Sequence, residues 1–520
     1  MVLLTVYELK HDYSQLSDFI RQYQFQEKKT VKIKKGFRHH LELKLWKLFR
    51  RFPIGKLFSI MMRQCSVCNR KFSEIFIDYY LDRKISCKKC KNRTKYYSAF
   101  ISFVLNLIER GLKMPKNEFR RILKKNIAIK RLLISYLDGL AKFGLNIPLI
   151  PAGPVITIWS VTHRCNLRCK HCYVPPNSMR DELSFEEACS VIDHLYEAKN
   201  FVVGFSGGEA LLREDIFDLI KYVSTKKMSV ALASNGTLIT PQVAEKLKEA
   251  GAGYIQISID GLEEIHDHVR GKGMFKKALA GIKNCLNAGL YVSIDVVVTK
   301  LNRHQIRQLI ELAKRLGVQK FELLDFVPSE NACTQSDLAL SPLEMEKFGA
   351  EVCEIWQKLI EDDYPLTLSF KNPTFTRILA QRFPNVNIMP LFKGIFPKDA
   401  LKFFNFSNRL AKGVFEEQTP FSPFITGCES GIYVVHIKPN GNVTPCPLNP
   451  AMLGSVKTQH IQKIWQDSPV LNLYRGLDFG GHCGKCEFKT MCGGCRAKVY
   501  LKTGTYTACD PTCVLNKSCS

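Results

Sequence analysis

Cysteine carries most of the chemistry legible in this chain. Of its twenty cysteines, fifteen fall into three sets with the spacing of metal ligands. The central set is Cys165-Asn-Leu-Arg-Cys169-Lys-His-Cys172-Tyr173. Three thiolates on one short loop can hold three corners of a [4Fe–4S] cube, whose full protein complement is four. The missing fourth ligand leaves one iron open to an exogenous molecule, whereas structural zinc asks for four protein ligands. The first set, Cys65, Cys68, Cys87 and Cys90, is two C-x2-C pairs at zinc-site spacing. A rubredoxin-like iron or an iron–sulfur cluster uses similar pairs. Between them Ile75, Ile77 and Tyr79 alternate, which predicts a strand of a zinc ribbon. The last set comprises Cys428, Cys446, Cys483, Cys486, Cys492, Cys495, Cys509 and Cys513, and its knuckles suit either iron–sulfur clusters or two zinc ions. Cys189, Cys285, Cys333 and Cys353 read as small packing residues, with Cys519 also single.

A loop of thiolates needs a frame, and the sequence around it supplies one. Apolar, β-branched runs predict strands at Val155–Val161, Phe201–Ser206, Ser229–Ser234, Tyr254–Asp260, Tyr291–Val298 and Lys320–Val327. Helical patterns lie between them at Phe185–Ala198, Ile216–Thr225, Pro241–Ala250, Phe275–Ala288 and His304–Leu316. Ser184 with Glu187 reads as a capping box, and Thr240-Pro241 as an N-cap with proline at the first helical position. Gly251, Gly289 and Gly317 stand where helices should end. Strands alternating with helices give a parallel sheet, open or barrel-like. In either form function gathers at the C-terminal strand ends. The candidate residues obey that rule. The cysteine loop follows the first strand, Phe205-Ser206-Gly207-Gly208-Glu209 ends the second, and Ser234-Asn235-Gly236 ends the third. Ser258-Ile-Asp260-Gly261 ends the fourth, with His266-Asp267 and Arg270-Gly271 after it.

The C-x3-C-x2-C-aromatic string resembles the signature of the radical S-adenosylmethionine (SAM) superfamily. The resemblance implies that Cys165, Cys169 and Cys172 ligate a [4Fe–4S] cluster whose open iron chelates the methionine moiety of SAM. An electron then yields methionine and a 5′-deoxyadenosyl radical, which abstracts a substrate hydrogen. Tyr173, Gly207, Gly208, Glu209, Ser234, Asn235, Ser258, Asp260 and Arg270 become the expected cofactor-binding residues. Glu209 would accept from the SAM amino group, and Ser258 and Arg270 would meet its carboxylate and ribose region. Val298-Thr299-Lys300-Leu301-Asn302 also looks family-like, without an assigned role. The last cysteine set is similar to the SPASM domain, which binds two auxiliary [4Fe–4S] clusters. By that match Cys428, Cys446 and Cys495 serve the nearer cluster, and Cys483, Cys486, Cys492 and Cys513 the farther. Two features depart from the pattern: a C-x2-C pair at Cys492 and Cys495, and the extra Cys509, which could complete the nearer cluster or replace Cys513.

The implied fold is α/β: a partial (β/α)6 TIM-like barrel over 151–340, with a SPASM domain at 428–520. A basic, zinc-ribbon-containing module occupies 1–150, and a helix with a Phe-rich bridging insertion occupies 341–427. The implied function is a radical SAM oxidoreductase, with oxidative maturation of a peptide or protein as the first reading. Side-chain modification of a tetrapyrrole of the haem b or d1 type is the alternative, since Cys492-Gly-Gly-Cys495-Arg-Ala looks closer to those synthases. A zinc- or iron–sulfur-stapled, nucleic-acid-associated scaffold is the non-enzymatic reading. An intact SAM motif argues against it. A flavodoxin- or ferredoxin-like electron donor is the expected partner.

Charge is distributed unevenly. The first 150 residues carry 33 Lys and Arg against 11 Asp and Glu, while the remaining 370 hold 42 against 37. That asymmetry points to an acidic partner for the N-terminal module, or to a solvated basic face. Neither a membrane-length apolar run nor a signal-peptide pattern is present, so a soluble cytoplasmic protein is expected.

Overall fold

The computed structural model describes residues 60–99, 102, 116–144, 148–174, 181–362, 364–382 and 427–516. The basic run before residue 60, most of the Phe-rich insertion (Phe403, Phe404 and Phe406 among it) and Cys519 lie outside the described residues. All that follows concerns one compact unit, Leu57–Ser520.

Helix α1 (Phe72–Tyr80) fills the space between the first two cysteine pairs, and α2 (Lys88–Tyr96) begins at the second. The strand expected around Ile75, Ile77 and Tyr79 is therefore a helix. Phe72, Ile75, Phe76 and Tyr80 are all buried, and their three- and four-residue spacing fits a helical face as well as alternation fits a strand. Packing against α4 decides between the two periods. Helix α3 (Lys116–Lys125) leads into α4 (Ile127–Phe143), where Asn126 accepts the Ile129 N–H at 3.1 Å. Across α4 runs the proline-rich linker. A Cβ on Gly139 would stand 2.0 Å from the Ile150 carbonyl oxygen, so only glycine permits the crossing.

The frame then alternates as expected. Strand β1 (Ile156–Thr162) is followed by α5 (Phe185–Glu197), β2 (Val202–Gly207), α6 (Ile216–Thr225) and β3 (Ser229–Ser234). Next come α7 (Pro241–Ala250), β4 (Tyr254–Ser258), α8 (Glu263–Arg270) and α9 (Met274–Asn287). Strand β5 (Tyr291–Val298), α10 (Ile306–Leu316) and β6 (Lys320–Asp325) complete the run. The caps read from sequence are made. Ser184 and Glu187 exchange both bonds of a capping box, Thr240 caps α7, and Gly251 and Gly317 end their helices in left-handed conformation.

Strands β1 to β6 pair in parallel and in chain order. The face covered by helices is apolar and buried: Trp159, Phe205, Leu232, Ile255, Val292 and Phe321 lie on it in register and are fully enclosed. Each such side chain contributes roughly 1.5–3 kcal/mol. The sheet is wider than the six strands anticipated. After α11 (Pro342–Glu361), β7 (Thr367–Lys371) joins β6 in parallel, and α12 (Pro373–Arg382) follows.

At the other edge β8 (Val434–Ile437) pairs in parallel with β1, Ile156 opposite Val434. Antiparallel β9 (Asn442–Thr444) and β10 (Gly454–Ser455) extend it. Helices α13 (Ile461–Asp467), α14 (Pro469–Gly476), α15 (Gly481–Lys485) and α16 (Arg496–Thr503) close the chain. The buried Trp465 of α13 donates its indole N–H to Pro151 O at 2.9 Å, tying this end to the linker before β1. No described helix is long and apolar enough to cross a membrane.

Candidate active site and metal centres

The loop carrying Cys165, Cys169 and Cys172 leaves the C-terminal end of β1, and all three thiols are half-buried. Burial pushes each of them up, Cys169 to about 11; Cys169 also feels the charge of Cys165 and Cys172, and Cys172 that of Cys165. A metal that binds the thiolates offsets this cost. The loop is zipped to the end of β2: Gly208 N donates to Thr162 O and Glu209 N to Arg164 O, both at 2.8 Å. Two glycines make that approach possible. A Cβ on Gly207, whose φ is +148°, would lie 2.3 Å from Thr162 O, and one on Gly208 would lie 2.4 Å from Arg164 O. The close contact these glycines serve is thus with the cysteine loop itself.

Glu209 is fully enclosed, and burial raises its carboxyl above the usual range. Its oxygens accept from Asn235 N at 2.8 Å, Ser234 Oγ at 3.0 Å and Leu211 N at 3.2 Å. Three of about four acceptor positions are filled, leaving room for one further donor. Asn235 also reaches the cysteine loop, its Nδ2 donating to Asn166 Oδ1 at 2.8 Å. Tyr173, just past the third cysteine, accepts at its carbonyl from Asn331 N.

Asp260, 2% exposed, gathers the other end of the site. Its carboxylate faces Arg270 Nε at 2.5 Å and His171 Nε2 at 3.3 Å, and accepts Val297 N at 3.0 Å. Despite burial, the Arg270 guanidinium and the neighbouring His171 and His266 hold it down to about 2. Arg270 therefore belongs to a buried pair rather than a surface salt bridge, and its Nη1 approaches Cys169 Sγ at 3.9 Å. Asn302, given no role from sequence, donates to Asp260 O at 2.9 Å and Val297 O at 2.8 Å, binding the ends of β4 and β5.

Sequence reasoning missed His171, although a histidine between two cysteines was the available signal. Beyond Ser258 a polar row runs in register across the sheet: Ser258 opposite Asp295, Asp295 opposite Glu322, and Glu322 opposite Ser369. Burial and the facing Glu322 raise Asp295 to about 7, against the pull of Lys320, which pairs with Glu322.

The C-terminal thiols sort into two groups by mutual electrostatic influence. Cys446 and Cys495 both feel Cys428. Cys483 and Cys486 feel Cys509, while Cys492 feels Cys513 and Cys513 feels Cys486. Cys509 thus sits with the second group, its Sγ accepting Cys483 N and lying 3.3 Å from Gly480 O. Two neighbours escaped the sequence reading. Asp510 Oδ2 accepts Cys495 N at 2.6 Å, and Lys498 of α16 pairs with Asp325 at the end of β6 at 2.6 Å, both 7% exposed.

The first set is the most compact: all four sulfurs of Cys65, Cys68, Cys87 and Cys90 lie within 4.8 Å of one another. Cys68–Cys90 and Cys65–Cys87 stand at 3.5 and 3.8 Å. A tetrahedron of about 2.3 Å Zn–S bonds requires S–S distances of about 3.8 Å. Backbone N–H groups of Cys68 and Val67 draw Cys65 down to about 6, and an antiparallel Gln64–Lys71 bridge closes the knuckle. The residues fit zinc in a zinc-ribbon-like site; a tetrathiolate iron has the same donor set.

Comparisons with known proteins agree with this geometry. Residues 159–313 match the radical SAM superfamily and residues 428–496 an iron–sulfur cluster-binding domain, SPASM. The AdoMet-dependent heme synthase of Methanosarcina barkeri is 31% identical over 366 residues, 69% of this chain and 96% of the relative. Mycofactocin maturase MftC of Mycolicibacterium smegmatis is 30% identical over 370 residues, 69% of this chain and 83% of its own. In fold the chain is similar to Streptococcus suis SuiB bound to S-adenosylmethionine, with a TM-score of 0.58 at 16% identity over 86% of this chain and 93% of that one. Membership implies iron–sulfur clusters and SAM as cofactors. With these motifs at the strand ends and relatives matched along most of their length, the chain belongs to the radical SAM superfamily and is a SPASM-bearing enzyme of it.

Proposed function

We propose that Cys165, Cys169 and Cys172 hold the SAM-binding [4Fe–4S] cluster, and that the chain oxidises the side chain of a tetrapyrrole. One observation carries the site assignment. The three-thiol loop, the enclosed Glu209 and the Asp260–Arg270 pair converge at the C-terminal ends of β1 to β4. When bound there, the cluster supplies the electron that splits SAM into methionine and a 5′-deoxyadenosyl radical, and this radical takes a hydrogen from the substrate.

The chain's own residues position and shield. Gly207 and Gly208 let the loop lock onto β2, Glu209 offers its remaining acceptor position to the SAM ammonium, and Asp260 fixes Arg270 and His171 around the loop. Ser234 and Asn235 orient Glu209, while Ser258 and Arg270 would meet the carboxylate and ribose region of bound SAM. Cys428, Cys446 and Cys495 hold one auxiliary cluster. The group of Cys483, Cys486, Cys492, Cys509 and Cys513 holds the other and has one thiol beyond the usual four. A cluster held by these thiols would supply an electron acceptor beside the site. A reduced flavodoxin- or ferredoxin-like protein supplies the first electron. We assign the first 150 residues to a basic module carrying the zinc site.

The tetrapyrrole reading is supported by the C-x2-C pair at Cys492 and Cys495 and by the heme synthase relative, matched over 96% of its length. A peptide substrate is the second reading, favoured by the mycofactocin maturase relative. The test begins with anaerobic reconstitution and a metal count. Three cubes predict about twelve irons, with about one zinc for the tetrathiolate site. Dithionite and SAM should then yield 5′-deoxyadenosine, and Cys169→Ala should abolish that yield while sparing the other metals. Full SAM cleavage by Cys169→Ala would overturn the assignment. Mass spectrometry after adding a propionate-bearing porphyrin, or a peptide in its place, separates the two substrates.

A further inference from the structure

SAM cleavage needs one electron for each turnover, and two basic surfaces compete as the place where its carrier lands. One is the zinc-site module, where Lys88, Lys89, Lys91 and Lys95 are exposed on α2. The module sits at the wrong end of the sheet. Glu74 of α1 pairs with Lys199, in the turn entering β2, at 2.9 Å, and Arg131 of α4 stacks on Tyr196. The cysteine loop lies at the opposite ends of the parallel strands. Seven residues of β1 at about 3.3 Å each put roughly 20 Å between the two. Electron tunnelling decays exponentially with distance, so a carrier seated on the module would deliver poorly.

The other surface is a groove of about 380 Å³ whose floor is the outer side of the cysteine loop. Asn166, Leu167, Arg168 and Lys170, the residues between the cysteines, line it with His268 and Arg270. Arg168, Lys170 and His268 are exposed, and Lys170 Nζ meets His268 Nε2 at 3.0 Å. Lys272 and Lys277, on the turn and helix that form the far wall, are exposed as well. Acids close by are largely engaged. Asp267 accepts the N–H groups of Gly273 and Phe275, and Glu263 pairs with Lys276, leaving Glu264 exposed. Of the residues assigned to SAM above, Arg270 lines the groove, whereas Glu209, Ser234 and Ser258 do not. One wall reaches the site directly: Arg270 stands 3.9 Å from Cys169 Sγ.

We propose that this groove is the docking surface for a small acidic one-electron carrier protein, an inference that rests on the radical SAM reading. Charge complementarity selects the partner, and the loop on the groove floor gives the shortest path inward. The carrier loses one electron and the site gains one, which leaves in cleavage of the SAM sulfonium C–S bond.

The experiment uses the full reconstituted chain and a purified flavodoxin. Lys272→Glu/Lys277→Glu reverses two charges outside the cysteine loop, and Lys88→Glu/Lys91→Glu reverses two on the zinc module. Binding is measured by calorimetry at low and raised salt, and SAM cleavage with reduced flavodoxin and separately with dithionite. The groove variant should bind flavodoxin roughly tenfold more weakly, lose the salt dependence of the wild type, and cleave SAM normally with dithionite. The module variant should match the wild type in all three. Unchanged binding in the groove variant, or weakened binding in the module variant alone, overturns the proposal. Loss of dithionite-driven cleavage in the groove variant would also overturn it, by placing the groove within the SAM site. Failure of the wild type to cleave SAM with dithionite would instead strike the underlying reading.

Discussion

Gly208→Ala isolates the lock between the cysteine loop and β2. The added methyl would lie 2.4 Å from Arg164 O, 2.8 Å from Arg164 C and 2.9 Å from Cys165 Cβ. These atoms belong to backbone and to the base of a candidate ligand, so relief requires the loop to move by about 1 Å. Movement on that scale breaks the 2.8 Å bonds from Gly208 N and Glu209 N. Overpacking costs about 1–3 kcal/mol and each lost bond about 1 kcal/mol. At 1.4 kcal/mol per tenfold, even the low end, about 3 kcal/mol, weakens retention of a cluster by about a hundredfold.

Gly204→Ala, within β2, is the control, because its nearest neighbour would be Thr157 O at an ordinary 3.7 Å. The assay is iron content after anaerobic reconstitution, with the electron paramagnetic resonance spectrum of the reduced protein recorded with and without SAM. Gly208→Ala should lose about a third of the iron and the SAM-dependent spectral change, while Gly204→Ala keeps both. Full iron and an unaltered response to SAM in Gly208→Ala would refute the lock.

Three further outcomes follow from the charged and sulfur-bearing clusters. Asp295, raised to about 7 by burial and Glu322, binds its proton more tightly folded than unfolded, so its stabilising contribution is full below about pH 4 and lost as pH rises towards 7. Asp295→Asn should remove that slope from denaturation midpoints of the unloaded protein, and an unchanged slope would assign it elsewhere. Lys498→Ala strands Asp325 as a buried charge and should cost about 3–5 kcal/mol, whereas Lys498→Met with Asp325→Leu should recover most of it; chemical denaturation decides. Cys87→Ser should release the module's metal, read by elemental analysis, while SAM cleavage with dithionite persists.

What the sequence disclosed about the fold follows from how local each signal is. Strands β3 and β5 and helices α6 and α7 match their expected bounds because alternation, Thr240-Pro241 and Gly251 act within a few residues. The α1 segment went wrong because Phe72–Tyr80 satisfies two periods at once, and only its packing partner chooses. Strands β7 and β8 are four or five residues long, and their place depends on distant edges of the sheet. At the site, spacing exposed the cysteines, and the resemblance of Gly207-Gly208-Glu209 to a family motif exposed Glu209. The convergence of His171, Arg270 and Val297 on Asp260, and the seat of Cys509, are facts of tertiary contact that no local pattern encodes.

The pairing of β8 with β1 joins the two cofactor-bearing regions as neighbours in one hydrogen-bonded ladder. A chain ending before Cys428 would expose one side of β1 as an edge: a seven-residue strand rich in β-branched side chains with no charged residue to discourage a second copy. Such a truncated protein is expected to self-associate through that edge before any question of catalysis arises. The same ladder limits recombination between relatives. A foreign C-terminal region must bring a strand in matching register, or the strand that launches the cysteine loop loses its neighbour.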